Sequence, residues 1–284
     1  MPFIYNKNIK TSRYFYYIYI FLLYIMTSIC LKGDCLELMK DMSANSVDLI
    51  ICDLPYGCLT TAKETKKKRF VEGEDTGTTV DMYKGGCAWD IKINLNDFWI
   101  QIKRLCRNEH TPVIMFCTTK FGNDLINSNP SWFRYDLVWN KTRGVSFLSA
   151  NKMPMRSHEM IYVFSKKGAN YNRIDEYVEG APGYNYLPGG LKISSVYNSK
   201  VERLVSAGDK NMRCSLSVIN ICMKKDKKHP TAKPIEIYDW LIKRYSNEDD
   251  IILDPTAGSF NSGRSALALN RNYIGIEMDD DFYN

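Results

Sequence analysis

Asp53, Leu54, Pro55 and Tyr56 close an apolar run, VDLIICDLPYG over residues 47–57, and together they suit chemistry on a planar amino nitrogen. The Asp53 carboxylate and the stiff backbone carbonyl before Pro55 can each accept one N–H of an exocyclic NH2, and Tyr56 offers a ring for stacking. Such an amine is a weak nucleophile because its lone pair is delocalised into the ring. Accepting its two protons pushes the nitrogen toward sp3 and frees that pair for in-line attack on a methyl group, so catalysis is positioning and electrostatics. Three further acids, Asp34, Asp254 and Glu277, also end short apolar runs. Acids of that type sit on the carboxyl rim of a parallel sheet, where ligands bind in open α/β folds.

The elements that must position these residues alternate between strand and helix. Val47–Asp53 is apolar on both faces, the pattern of a buried parallel strand, and Pro55 and Gly57 forbid its continuation. Before it, 28–34 reads as a strand ending in Gly33-Asp34, and Cys35–Met42 as a helix, which makes a βαβ unit. Further along, the spacing predicts a helix over 95–106, a buried strand over 112–117, a helix over 121–126 and paired strands over 135–139 and 160–164. A helix over 235–245, a strand over 250–254, a Gly-containing turn with a helix through Leu269 and a strand over 273–277 complete the pattern. Strand, turn, helix, strand and acid make the mononucleotide-binding half of a doubly wound α/β fold, with Glu277 at the offset where an acid reaches a ribose. The turn lacks G-x-G-x-x-G, so Asp254 with Gly258 suits a cofactor carrying an amino-acid group in place of phosphates, namely S-adenosylmethionine.

Composition narrows the alternatives. The 284 residues fit one large α/β domain, or one carrying an insertion, and 45% hydrophobic residues allow a sizeable core. Net charge is +6, and residues 166–228 alone hold twelve Lys/Arg against six Asp/Glu, with tyrosines interleaved and Gly and Pro interrupting any helix. That stretch reads as an inserted, loop-rich lobe facing a polyanion. A basic loop over Thr60–Gly86 is expected to close over a nucleic-acid strand. Nine cysteines without a C-x-x-C pair, and three scattered histidines, argue against a zinc site or a disulfide framework and suit a reducing compartment. No P-loop motif is present, and no Pro-Cys dipeptide, which disfavours a carbon-5 cytosine methyltransferase. Tyr14–Leu31 is uncharged, but its strongly apolar core is short of the ~20 residues a spanning helix needs. A membrane anchor is therefore the lesser reading there. Residues 1–28 are expected to be an N-terminal extension, non-native or disordered, with Met26 as the working start.

Taken together, these residues resemble the β-class of S-adenosylmethionine-dependent DNA amino-methyltransferases, the adenine-N6/cytosine-N4 family. The match includes Gly33-Asp34, Asp53-Leu54-Pro55-Tyr56, Trp89-Asp90, Trp139-Asn140-Lys141, His158-Glu159, the run His229-Pro230-Thr231-Ala232-Lys233-Pro234, Asp254-Pro255 with Gly258-Ser259, and Gly275-Ile276-Glu277. Order and spacing make the set far more specific than any one motif. The resemblance implies a Rossmann-like sheet in permuted motif order: a catalytic half over 29–165, a target-recognition insertion over 166–228 and a cofactor-binding half over 229–284.

By the same resemblance, Asp53, Leu54, Pro55 and Tyr56 hold a flipped-out target base, Leu54 and Pro55 through their backbone. Asp254, Pro255 and Gly258 line the methionine end of the cofactor, Glu277 its ribose and Asp34 its adenine, while His229, Thr231, Lys233 and Pro234 border it. Two positions depart from the family's pattern: Leu54 stands for the first proline of the tetrapeptide and Phe260 for a second glycine, where it would crowd the cofactor turn. Asp at the head of the tetrapeptide favours adenine N6; cytosine N4 and a catalytically silent DNA-binding protein of the same fold are the alternatives. Methylation of RNA or of a protein amide fits less well, since those relatives place Asn first and the cofactor motif ahead of it. The implied partner is double-stranded DNA in a cytoplasmic setting with no stable membrane partner, and homodimerisation is left open.

Overall fold

The computed structural model describes residues 3–5, 28–57, 90–145, 147–177, 211–223 and 232–283. The Thr60–Gly86 loop, His229, Thr231 and most of Tyr14–Leu31 lie outside them. Among the described residues no helix is long and apolar enough to cross a membrane. The last residues of Tyr14–Leu31 belong to a sheet strand.

The strands are β1 (Phe3–Tyr5), β2 (Ser28–Lys32), β3 (Leu49–Cys52), β4 (Val113–Cys117), β5 (Phe133–Val145), β6 (Arg156–Phe164), β7 (Asp175–Tyr177), β8 (Met212–Cys214), β9 (Val218–Asn220), β10 (Ile251–Asp254) and β11 (Asn272–Glu277). The helices are α1 (Cys35–Lys40), α2 (Leu95–Leu105), α3 (Thr119–Ser128), α4 (Ile235–Tyr245), α5 (Asn261–Ala268) and α6 (Asp280–Tyr283). The large sheet runs β1-β2-β11-β10-β3-β4-β6-β5-β9. It is parallel from β1 to β4, β6 is antiparallel to both β4 and β5, and β9 lies parallel to β5. The carboxyl ends of β2, β11, β10, β3 and β4 therefore share one rim.

Burial explains the doubly wound arrangement. Ile50, Cys52, Val113 and Met115 pack with Met39, Phe98, Ile102 and Phe121 of α1, α2 and α3. Their strand neighbours Leu49, Ile51, Ile114 and Phe116 pack on the opposite face with Ile237, Tyr238, Leu241 and Ile242 of α4 and Ala266 of α5. Side chains alternate across a strand, so a run apolar at every position is what two covered faces require. Helix α2 begins where Asn94 accepts from the N–H groups of Asn96 and Asp97, and Phe98, Trp99, Ile102 and Leu105 give it one buried stripe.

Two regions differ from the sequence reading. Phe3–Tyr5, in the N-terminal stretch set apart by sequence, is a strand beside β2. Residues 173–216 form a compact unit of their own, containing the β7–β8 pair, whereas Val218–Asn220 joins the large sheet within the stretch 166–228. Trp139 Nε1 donates to the Ile221 carbonyl at 2.8 Å and fixes that edge.

Candidate active site on the carboxyl rim

Strand β3 ends at Cys52, and the chain turns sharply through Asp53, Leu54, Pro55, Tyr56 and Gly57. The Leu54 side chain is buried in the core, so this departure from proline is accommodated by packing. Gly57 has φ +65°, and a Cβ there would meet Lys92 Cγ at 2.8 Å, so the turn needs glycine twice over. Its N–H donates to Asp90 Oδ1 at 2.8 Å, which gives the Trp89-Asp90 motif a role in pinning the turn. The Tyr56 hydroxyl donates to Asp53 Oδ1 at 2.6 Å, and its ring rests on Phe121 with centroids 5.1 Å apart. Burial, and then the Asp53 carboxylate, pushes the Tyr56 phenol well above its usual pKa, so it is a neutral donor.

The second oxygen of Asp53 is occupied as well. Lys233, 6% exposed, donates its ammonium to Asp53 Oδ2 and lies 3.6 Å from Glu159 Oε2. Glu159 Oε1 is 3.1 Å from Lys141 Nζ. Two carboxylates and two ammoniums thus alternate along a partly buried chain, Asp53–Lys233–Glu159–Lys141. Burial alone would lower the Lys233 pKa, but Asp53 and Glu159 outweigh it and hold it above its usual value. Burial likewise works to raise the Glu159 carboxyl, and Lys233 and Lys141 outweigh it, so its net shift is downward. The family resemblance places Lys233 among the residues bordering the cofactor; its ammonium pairs with the candidate catalytic carboxylate. Pro234 stands at the N-cap of α4 in an extended conformation, φ -64° and ψ 148°, and the helix starts after it without a side-chain cap.

The other half of the rim gathers around Asp254, which is 2% exposed. Its oxygens accept from the Thr256 N–H at 3.1 Å and the Ser262 hydroxyl at 2.5 Å, and Ser262 is in turn 2.8 Å from the Tyr273 hydroxyl. Desolvation raises the Asp254 pKa to about 7, against the hydrogen bonds that lower it. Pro255, also buried, leads into the turn. Glu277 Oε2 accepts from the Gly258 N–H at 2.7 Å, and the Glu277 carbonyl accepts from Gly33 N–H at 3.0 Å, so the ends of β10, β11 and β2 meet. Asp34 caps α1 through one oxygen, accepting from Leu36 N–H at 2.7 Å and from Glu37 N–H at 3.4 Å. Asn261 Nδ2 donates to the Lys233 carbonyl at 2.9 Å, tying the start of α5 to the segment that carries the lysine.

Phe260 occupies the N-cap of α5 with φ 55°, the left-handed region that glycine favours. Its ring packs against Tyr283, with centroids 6.2 Å apart. Phe260→Gly is therefore expected to change stability by less than about 1 kcal/mol, because relief of about 1–2 kcal/mol of left-handed strain offsets the lost ring burial. Phe260→Ala keeps the strain and loses the ring, so it is expected to lose about 2 kcal/mol. Urea unfolding of the pair isolates the backbone contribution.

The sequence model of the DNA methylase family matches residues 47–284. The chain belongs to this N6/N4 DNA methylase family. Type II methyltransferase M.HpaI from Haemophilus parainfluenzae is 26% identical over 262 residues, covering 88% of this chain and 70% of that protein. DNA adenine methyltransferase YhdJ from Escherichia coli is 41% identical over 64 residues, 22% of each. The solved structure of the cytosine-N4-specific PvuII DNA methyltransferase shares the fold, with a TM-score of 0.57 at 14% identity over 90% of this chain and 83% of that one.

S-adenosylmethionine is the family's methyl donor, and the rim fits it. Asp254 is a buried carboxylate that pairs with no cation among the described residues, and an α-ammonium is the complement it needs. Of the site residues singled out from sequence, the described ones all lie on the rim in two connected groups. The sequence reading assigned no role to Lys141, Glu159, Asp90, Asn261 or Ser262. The first three lie inside motifs quoted for the family resemblance, so their position in the sequence carried a signal that their chemistry alone did not.

Proposed function

We propose that this N6/N4 DNA methylase transfers a methyl group to adenine N6 of a base turned out of duplex DNA. The observation that carries the reading is a carboxylate and a phenol hydrogen-bonded at 2.6 Å on the same rim as a buried, cation-seeking carboxylate. Bound S-adenosylmethionine supplies the methyl as a sulfonium. Asp254 and Pro255 with Gly258 hold its amino-acid end, Glu277 the ribose and Asp34 the adenine, while Lys233 and Pro234, with His229 and Thr231, form the bordering segment. Asp53 and the backbone carbonyls of Leu54 and Pro55 accept the target N–H groups. Tyr56, supported by Phe121, stacks on the base once it has left the duplex. Asp53 is the acceptor on the rim to which the methylated nitrogen can pass its surplus proton.

Adenine is favoured by Asp at the head of the tetrapeptide and by the 41% identity to an adenine methyltransferase over 64 residues. The basic, tyrosine-rich stretch 166–228 is assigned to target recognition, and the cytoplasm is the setting where such an enzyme meets DNA. The test is transfer of labelled methyl from S-adenosylmethionine to unmethylated duplex DNA, followed by nucleoside analysis, with Asp53→Ala as control. Label in N6-methyladenine that the variant abolishes is the expected result. Label in N4-methylcytosine overturns the base assignment and keeps the mechanism. Cofactor binding without label moves the chain to the catalytically silent reading.

A further inference from the structure

The β5–β6 hairpin carries a feature that the catalytic reading leaves unused. Strand β6 is antiparallel to β4 with Cys117 opposite Met160, so residues 156–159 run past the last residue of β4 and beyond the rim. At ~3.4 Å per residue those four positions alone extend the hairpin by about 14 Å. Its base is next to the catalytic turn, since Glu159 and Lys141 belong to the ion chain that ends on Asp53, and Arg156 Nη2 donates to Thr119 Oγ1 at 3.4 Å. Beyond that base the legs close tightly, because a Cβ at Gly144 would lie 2.8 Å from Met155 Cβ. The tip is a 3-10 turn, Phe147–Ser149, with the Ala150 N–H donating to the Phe147 carbonyl at 3.0 Å.

That tip is apolar and exposed. Phe147 is 77% exposed, Leu148 80% and Met153 59%. Large hydrophobics held out in solvent by an ordered turn mark a contact surface. The charge around them identifies the occupant: residues 142–155 contain Arg143 and Lys152 and no acid, and Arg156 follows. An apolar tip set among cations fits nucleic acid, with the cations meeting phosphates and the side chains entering the base stack.

We propose that Phe147 and Leu148 form a wedge that inserts into duplex DNA beside the catalytic turn and fills the gap left by the extruded base. The proposal deepens the DNA methyltransferase reading and rests on it. A wedge replaces stacking that the duplex loses when the base leaves, so it matters only where the target base is paired and stacked. Denatured DNA of the same sequence needs no wedge.

The test compares methyl transfer to unmethylated duplex DNA with transfer to the same DNA after heat denaturation, for the wild type, Phe147→Ser/Leu148→Ser and Phe147→Trp. The double variant is expected to lose about tenfold or more of its rate on duplex while staying within about threefold on denatured DNA, since only the duplex must be unstacked. Phe147→Trp, which keeps a large ring, is expected to retain duplex activity. Equal losses on both substrates, or no loss on duplex, overturn the wedge. A change of oligomeric state in the double variant, read by light scattering, also overturns it and makes the tip an interface between copies. A wild type inert on both substrates instead defeats the reaction reading. Duplex binding by fluorescence anisotropy then decides the surface: weaker binding by the double variant retains it, and unchanged binding removes it.

Discussion

Asp254→Asn is expected to make the cofactor-free protein more stable and at the same time unable to hold S-adenosylmethionine tightly. Asp254 is 2% exposed, and desolvation raises its pKa to about 7. A carboxyl that titrates near 3.9 in the unfolded chain binds its proton more tightly when folded, so the folded state is penalised once the group must ionise. The penalty is absent while both states are protonated, grows as pH rises through the unfolded value and is complete above the folded one. A shift of about three pKa units corresponds to roughly 4 kcal/mol at pH 8. Asparagine removes the charge and keeps the local bonds. Its carbonyl can still accept from the Thr256 N–H, and its amide can donate to Ser262 Oγ, which then turns its proton to the Tyr273 hydroxyl. Asparagine replaces the O–H donor of the protonated acid with a bulkier and weaker N–H donor, so about half of that gain is kept, a net stabilisation of about 2 kcal/mol or about 4–8 °C in Tm for a chain of this size.

On the proposed function, the same substitution removes the partner assigned to the cofactor's ammonium. Deleting one side of a buried ion pair costs roughly 3–5 kcal/mol, so the Kd for S-adenosylmethionine is expected to rise at least about 100-fold. The pH dependence has a definite sign. Only the ionised carboxylate binds the ammonium, so wild-type affinity falls as pH drops below about 7, approaching tenfold per unit, while the Asn variant stays flat. Titration calorimetry at pH 8 and pH 6, beside thermal unfolding of the cofactor-free forms, reads both effects. A variant that is destabilised, or that keeps the wild-type pH dependence, removes Asp254 from this role. The opposition of the two effects is the stability cost of a site built to meet a cation.

That cost was partly legible in the sequence, as was most of the fold. Strands buried on both faces announce themselves as unbroken apolar runs, which is why β3, β4, β10 and β11 fall where the pattern puts them. Helix α4 has the residues the spacing indicates, Ile235–Tyr245. Val218–Asn220 did not announce itself, because three residues carry no period and are strand only through pairing with β5. The four acids at strand ends were visible, since Asp34, Asp53, Asp254 and Glu277 follow runs that had to be strands. Their partners were not. Lys141, Glu159 and Lys233 come from separate segments and become neighbours only when β5 and β6 pair and the segment before α4 crosses the rim. Phe260 was visible as a departure from the family's glycine; its left-handed backbone was not.

Asp53→Asn carries the largest expected loss of turnover, and the ion chain determines how to interpret it. Both Asp53 oxygens are engaged, one by the Tyr56 hydroxyl and one by the Lys233 ammonium, so the carboxylate is held in one orientation facing the rim. Asparagine retains a carbonyl acceptor and loses the negative charge that opposes the positive charge developing on the attacking nitrogen. Loss of such a preorganised group costs about 10²–10³ in kcat, and KM for S-adenosylmethionine is expected to stay within about threefold because the proposed function assigns Asp53 to the base. The variant also leaves Lys141 and Lys233 facing Glu159 alone, a buried excess of positive charge worth about 3 kcal/mol of destabilisation. Lower activity could then be blamed on a damaged fold. Asp53→Asn/Lys233→Met separates the two effects: the methionine keeps the bulk beside Phe116 and restores charge balance. Its unfolding free energy is expected to return to within about 1 kcal/mol of wild type while single-turnover methyl transfer stays as low as in Asp53→Asn. Recovery of turnover along with stability would mean that the Asp53 charge serves the fold and leave the chemistry to the Tyr56 ring and the backbone carbonyls beside it.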